Sequence, residues 1–183
     1  YRVAYEGIFN SLNLYWKCYG GLPALITSPY LHSALVITLT ICWPAWWSSG
    51  GPWFDISCSI LPNLLGFTLA GYAILMSLGS DKFIRIISGN FGDNKVSPFM
   101  EANGTFVHFI IIQVLALLLG LIGKMADIKQ GLLALVGVFF LVYSIMLGVA
   151  AGLAILNIAE WRELFLDVEA EKSPDKPPPE VKL

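Results

Sequence analysis

Four stretches of almost unbroken apolar residues, 30–47, 56–78, 104–123 and 132–157, alternate with short connections rich in Gly, Ser, Asn and charge. A helix rises about 1.5 Å per residue, so each stretch approaches the ~20 residues needed to cross a hydrocarbon core. The pattern predicts an all-α fold, a polytopic membrane bundle of four transmembrane helices. Residues 1–29 form an amphipathic interfacial segment in this reading. There Ile8, Leu12, Tyr15, Trp16 and Tyr19 recur at helical spacings of three and four, and Gly20 and Gly21 end the helix. Ser28 followed by Pro29 is a cap and first-turn signature for the first span, and Pro44 with the run 48–52 closes it in a tight turn. The transmembrane domain occupies 30–157. Beyond it, Ile158, Trp161, Phe165 and Val168 keep the helical spacing, which predicts a cytoplasmic helical extension over 158–172 and a disordered Pro-rich tail over 173–183. The longest polar connection, 80–103, carries an amphipathic patch, Phe83, Ile84, Ile86 and Ile87, between Lys82 and Arg85.

Charge orients the bundle. Nine of the eleven Lys and Arg residues precede the first span, join the second to the third, or follow the fourth, and only Lys124 and Lys129 lie on the other side. The positive-inside rule then places both termini in the cytoplasm of a multi-pass inner or plasma membrane protein. Trp43, Trp46, Trp47 and Trp53 crowd the outer interface, while Trp16 and Trp161 mark the inner one. Composition agrees: 56% of residues are apolar and 13% charged, about half the charged share of a soluble domain. With a net charge of -2 there is no basic field for nucleic acid, which is not expected as a partner. Cys18, Cys42 and Cys58 lack metal-ligand spacing and are expected to be free thiols; only Cys42 and Cys58 could share a depth. The chain opens on Tyr1, so residues are expected to precede it in the natural protein.

Candidate chemistry concentrates on the second span. Ser59, Asn63, Gly66, Ala70 and Ser77 form one helical stripe of small or polar side chains. As a pore lining, it would use Asn63 as an uncharged constriction and Asp55 as a cation-attracting ring at the outer mouth. Plain helix packing is the simpler account, because small residues let backbones approach and a buried Asn can bond across. Pro62 frees a backbone carbonyl beside Asn63, which favours a cavity. On the fourth span Ser144, Gly148 and Gly152 make a small-residue packing motif, with a weaker counterpart in Gln113, Ala116 and Gly120 on the third. His32 and His108 fall near the cytoplasmic ends of their spans; they read as satisfied interfacial histidines before they read as pH-sensitive groups.

The mid-span regions hold no carboxylate, which argues against a coupled carrier, and enzyme and metal motifs are absent from the sequence. A non-enzymatic protein without cofactor is therefore expected. The leading expectation is a homo-oligomeric bundle that forms or gates a pore in the lipid bilayer. The alternative is a non-conducting membrane subunit or sensor that recruits a cytoplasmic protein through 80–103 and 158–183, where charge is concentrated. A bacterial defence or stress system is one setting that suits either architecture.

Overall fold

The computed structural model describes residues 2–48, 51–77, 84, 87–89 and 96–172. Its elements are helices: α1 (Arg2–Tyr19), α2 (Gly21–Ile26), α3 (Pro29–Thr40), α4 (Trp43–Trp47), α5 (Trp53–Ser77), α6 (Pro98–Met125) and α7 (Leu132–Lys172). Three of them, α5, α6 and α7, are long and apolar enough to cross a membrane, and by length and composition they make the chain a membrane protein. Their outward faces carry many large apolar side chains, for example Phe67, Ile74, Leu118, Ile122, Val149 and Leu156. Exposed surface of that kind and extent belongs against lipid.

The expectation of four spanning helices is corrected to three. The stretch 30–47 is not one helix; it divides into α3, 12 residues long, and α4, five residues long. Pro44 is the cause. It has no N–H to offer the carbonyl of Thr40, and its ring clashes with that carbonyl if the helix continues. The last turn of α3 widens accordingly, with Ile41 and Cys42 both donating their N–H to the Ile37 carbonyl at 2.9 and 3.0 Å, the second across five residues. At its other end α3 is capped by Ser28, whose Oγ accepts from the Leu31 N–H at 3.4 Å, as the Ser-Pro signature predicts. Twelve residues reach only about 18 Å, short of a hydrocarbon core of ~30 Å.

The core is an α5–α6–α7 bundle with α3 and α4 laid against α7 and α1 against α6. The α6–α7 turn reverses through Asp127 and Gly131, both at positive φ, with the Ile128 N–H bonded back to the Gly123 carbonyl at 2.9 Å. Gly131 also donates its N–H to the Trp46 carbonyl at 2.9 Å, which ties α4 to that turn. Trp53 then locks this end. Its indole is buried between Gly123 of α6 and Gly137 of α7 and donates Nε1–H to the Ile128 carbonyl at 2.8 Å.

The opposite end is organised by α1. It stops at Gly20 and Gly21, whose φ angles of 96 and 68° place both in the left-handed region that glycine tolerates. Its second half docks where Gly104 brings α6 into contact with the Cys18 and Tyr19 backbone. Tyr5, Ile8, Phe9 and Leu12 remain exposed on the rest of α1, an apolar surface suited to lying in a headgroup layer. α7 runs unbroken for 41 residues, about 60 Å of helix and roughly twice a bilayer core. Most of the patch at 83–87 and the whole tail 173–183 lie outside the described residues. Cys18, Cys42 and Cys58 are unpaired.

Candidate functional site

Polar side chains inside the bundle gather at the α1 end. His108 of α6 is 2% exposed and lies between two hydroxyls: Tyr15 Oη at 2.7 Å from Nδ1 and Tyr143 Oη at 3.0 Å from Nε2. Tyr19 stacks on the imidazole with ring centroids 4.0 Å apart, and its hydroxyl interacts with that of Tyr143. A neutral imidazole has one N–H and one lone pair, so in either tautomer one tyrosine donates to it and the other accepts from it. Burial pushes the Tyr15 phenol up to about 12 and raises that of Tyr19, so both remain protonated at neutral pH. The cluster is therefore a neutral hydrogen-bonded joint that fastens α1 to α6 and α7. His108→Leu is expected to lower bundle stability by about 2 kcal/mol, since it strands buried hydroxyls. Adding Tyr143→Phe to that variant should cost little more. Thermal unfolding in detergent of both single variants and the double checks this; fully additive losses would show that the groups do not act as one network.

Sequence reasoning treated His108 as an interfacial histidine and missed its partners. A signal was present. Tyr143 sits inside the most apolar segment of the chain, and a phenol there demands a hydrogen-bond partner.

Nearer mid-bundle, Gln113 Nε2 donates to Thr68 Oγ1 at 2.9 Å, and Thr68 Oγ1 in turn donates a hydrogen bond to the Leu64 carbonyl at 3.0 Å. Gln113 Oε1 and Thr38 Oγ1 are buried without a partner. Tyr72 donates to Asn103 Oδ1 at 2.6 Å, a second α5–α6 cross-bond.

The packed face of α5 is Trp53, Phe54, Ser57, Leu61, Thr68 and Gly71, all buried. The stripe singled out from sequence is displaced from it by two residues, about 200° around the helix. Ser59, Asn63, Gly66, Ala70 and Ser77 are all exposed, and a side chain added at Gly66 would meet nothing within 4 Å. Among the described residues no helix packs against the stripe. Ser59 and Asn63 satisfy themselves locally, Ser59 Oγ donating to the Ile56 carbonyl at 3.0 Å and Asn63 Nδ2 to the Ser59 carbonyl at 3.2 Å. Asp55 pairs with Lys124 at 2.8 Å, both side chains about half exposed, so the bridge adds little stability.

The motif of α7 divides. Ser144 is buried and Gly148 abuts Leu64 of α5, whereas Gly152 faces open space. On α6, Gln113 and Ala116 are buried and Gly120 abuts Ser57. His32 is exposed on α3.

Two contiguous hollows open at the α1 end. One, about 360 Å³, lies among the start of α3, Thr105 and Phe109 of α6, and Leu147 to Asn157 of α7. The other, about 290 Å³, lies between Pro98–Thr105 of α6 and Ala154–Trp161 of α7. They share Thr105, Ala154 and Asn157. Among the described residues no group of three His, Cys, Asp or Glu side chains could hold a metal ion. Compared with protein-family models, curated proteins and solved structures, the chain matches none.

Proposed function

We propose that this protein is a multi-pass inner or plasma membrane protein with both termini in the cytoplasm, and that it self-associates through the outward stripe of α5 to form or gate a pore. The carrying observation is the face of α5 that no other described residue covers. Only 22% of its spanning window is buried, against 44% for α6 and for α7, yet the exposed side presents Ser59, Asn63 and Gly66 where lipid favours large aliphatic groups. Pro62 lies on the same exposed side and leaves the Cys58 carbonyl without its helical donor. In an assembly these groups face one another or an aqueous path. In this proposal α3 and α4, neither of them long enough alone, cross in two pieces beside the three spanning helices, which returns the C-terminus to the side of the N-terminus and agrees with the distribution of Lys and Arg.

The test is particle mass in nanodiscs together with ion flux in liposomes. The expected result is a mass of several 20.1 kDa chains and a flux that Asn63→Leu reduces at least about tenfold. A single-chain particle, or an absence of flux in every condition, would overturn the pore.

A second reading rests on α7. Its last turns expose Trp161, Leu164, Leu166 and Val168 among Glu160, Glu163 and Asp167, so a non-conducting subunit that recruits a cytoplasmic protein through this acidic, apolar-studded helix is the alternative. An anionic leaflet repels such a face. Removing 158–183 and finding that every co-purified protein is retained would dispose of it.

A further inference from the structure

The paired hollows at the α1 end have the chemistry of a lipid headgroup site. Their buried walls are apolar, formed by Phe109, Leu147 and Ala150 and extended outward by exposed Leu153, and their polar lining is Thr27, Ser28, Thr105, Asn157 and Glu101. Together they span the several hundred cubic ångströms of a small-molecule site and open at the bundle surface. Trp161 at the rim is half exposed, as an aromatic ring at headgroup level is expected to be.

The rim is also selective in its hydrogen bonding. Thr27 Oγ1 donates its hydrogen to the Pro23 carbonyl at 2.8 Å, and Thr105 Oγ1 donates to the Glu101 carbonyl at 3.0 Å. Each hydroxyl therefore turns lone pairs, not a proton, toward the groove. Glu101 is the only charged side chain in either lining and makes no ion pair among the described residues. A rim of acceptors around one carboxylate suits a primary ammonium, which brings three N–H donors and a positive charge. At the far side Ser28 Oγ accepts from the Leu31 N–H and keeps its own hydrogen to donate, beside the Tyr30 N–H, which the helix cannot satisfy. Those donors suit the phosphate of a zwitterion.

We propose that this groove binds one phosphatidylethanolamine-type lipid from the surrounding leaflet, its ammonium on Glu101 and Thr105 and its acyl chains along Leu147 and Leu153. The site lies within a single chain and does not depend on self-association. A quaternary ammonium has no N–H to give these acceptors, and an anionic headgroup without an amine is repelled by Glu101, so phosphatidylcholine and phosphatidylglycerol are poor ligands.

Native mass spectrometry of the full chain, extracted from vesicles holding equal parts phosphatidylethanolamine, phosphatidylcholine and phosphatidylglycerol, tests this. The expected result is retention of the ethanolamine lipid over each of the others by about tenfold. Glu101→Gln should reduce that preference to less than about threefold, and Ala154→Phe, which fills the shared wall, should lower retention of all three. Equal retention by the wild type, or a preference that Glu101→Gln leaves intact, overturns the proposal. So does displacement of the lipid by soluble phosphoethanolamine at equal concentration, which would mark a soluble ligand, or closure of the groove in a lipid-free pair of chains. Failure of the protein to enter the vesicles would overturn the membrane reading as well, and it is read separately from lipid retention.

Discussion

Gly137→Ala is expected to unfold at a temperature about 10 °C below the wild type. A Cβ placed at Gly137 would lie 2.2 Å from one Trp53 ring atom and 2.3 Å from another, and at Gly123 the corresponding distance is 2.6 Å. The indole cannot retreat from one glycine without striking the other. Nor can it rotate freely, because Nε1 is bonded to the Ile128 carbonyl and Phe54 packs edge-on to the ring at 5.8 Å. Overpacking of a rigid ring costs about 1–3 kcal/mol, and loss of its buried hydrogen bond about 1 kcal/mol more. For a chain of this size each kcal/mol is about 2–4 °C. Thermal unfolding followed by tryptophan fluorescence in detergent measures the effect, and a Trp53→Leu background identifies its cause. With the indole gone, the alanine should be tolerated within about 0.5 kcal/mol. An unchanged penalty in that background would show that the ring is not what Gly137 accommodates.

Gly104→Leu is expected to detach α1 while leaving the spanning helices formed. The obstacle at this position is backbone: an added Cβ would approach the Cys18 carbonyl carbon and the Tyr19 nitrogen, both at 2.7 Å. No rotamer relieves such a contact, so α1 must move off α6. When it moves, Tyr15 leaves His108, and the Tyr19 ring leaves the imidazole it stacks on. Losing about 2 kcal/mol of docking corresponds to about 30-fold faster opening, so hydrogen exchange of the amides in 8–19 should accelerate by that factor. The amides of α6 and α7 should keep their protection, since their hydrogen bonds are internal to each helix. Gly7→Ala is the comparison, because a Cβ there meets nothing within 4 Å and only raises helix propensity. Equal protection of α1 in Gly104→Leu and wild type would show that the close approach does not hold the helix.

Legibility varied with the kind of signal. The hydrophobic runs at 104–123 and 132–157 each lie in one unbroken helix long and apolar enough to cross a membrane, because an apolar run near 20 residues has few alternatives. The run at 30–47 was overread. Hydropathy sums side chains and is blind to the backbone, while Pro44 acts on the backbone by withdrawing an N–H from the Thr40 carbonyl. The stripe Ser59, Asn63, Gly66, Ala70 and Ser77 was visible as a pattern, but its direction was not. Ser57, Thr68 and Gly71 make a second small or polar face on the same helix, and both satisfy the same periodicity. Which of the two meets α6 depends on the neighbouring surface, where Gly120 opens onto Ser57 and Gln113 reaches Thr68.

From its order of residues alone, this chain is committed to helices long and apolar enough for a membrane, to an amphipathic first segment and to an uneven distribution of Lys and Arg. Those properties follow from local composition and from the free energy of placing each segment in lipid, and they need no knowledge of neighbours. Tertiary structure alone decided the rest: the joining of Tyr15, His108 and Tyr143 across 93 and 35 residues of sequence, the indole slot between Gly123 and Gly137, and the emptiness around Gly66. Each is a property of distance between helices. In a bundle where lipid and side chain are equally apolar, that distance is set by the fit of packed surfaces and by the pairing of buried polar groups.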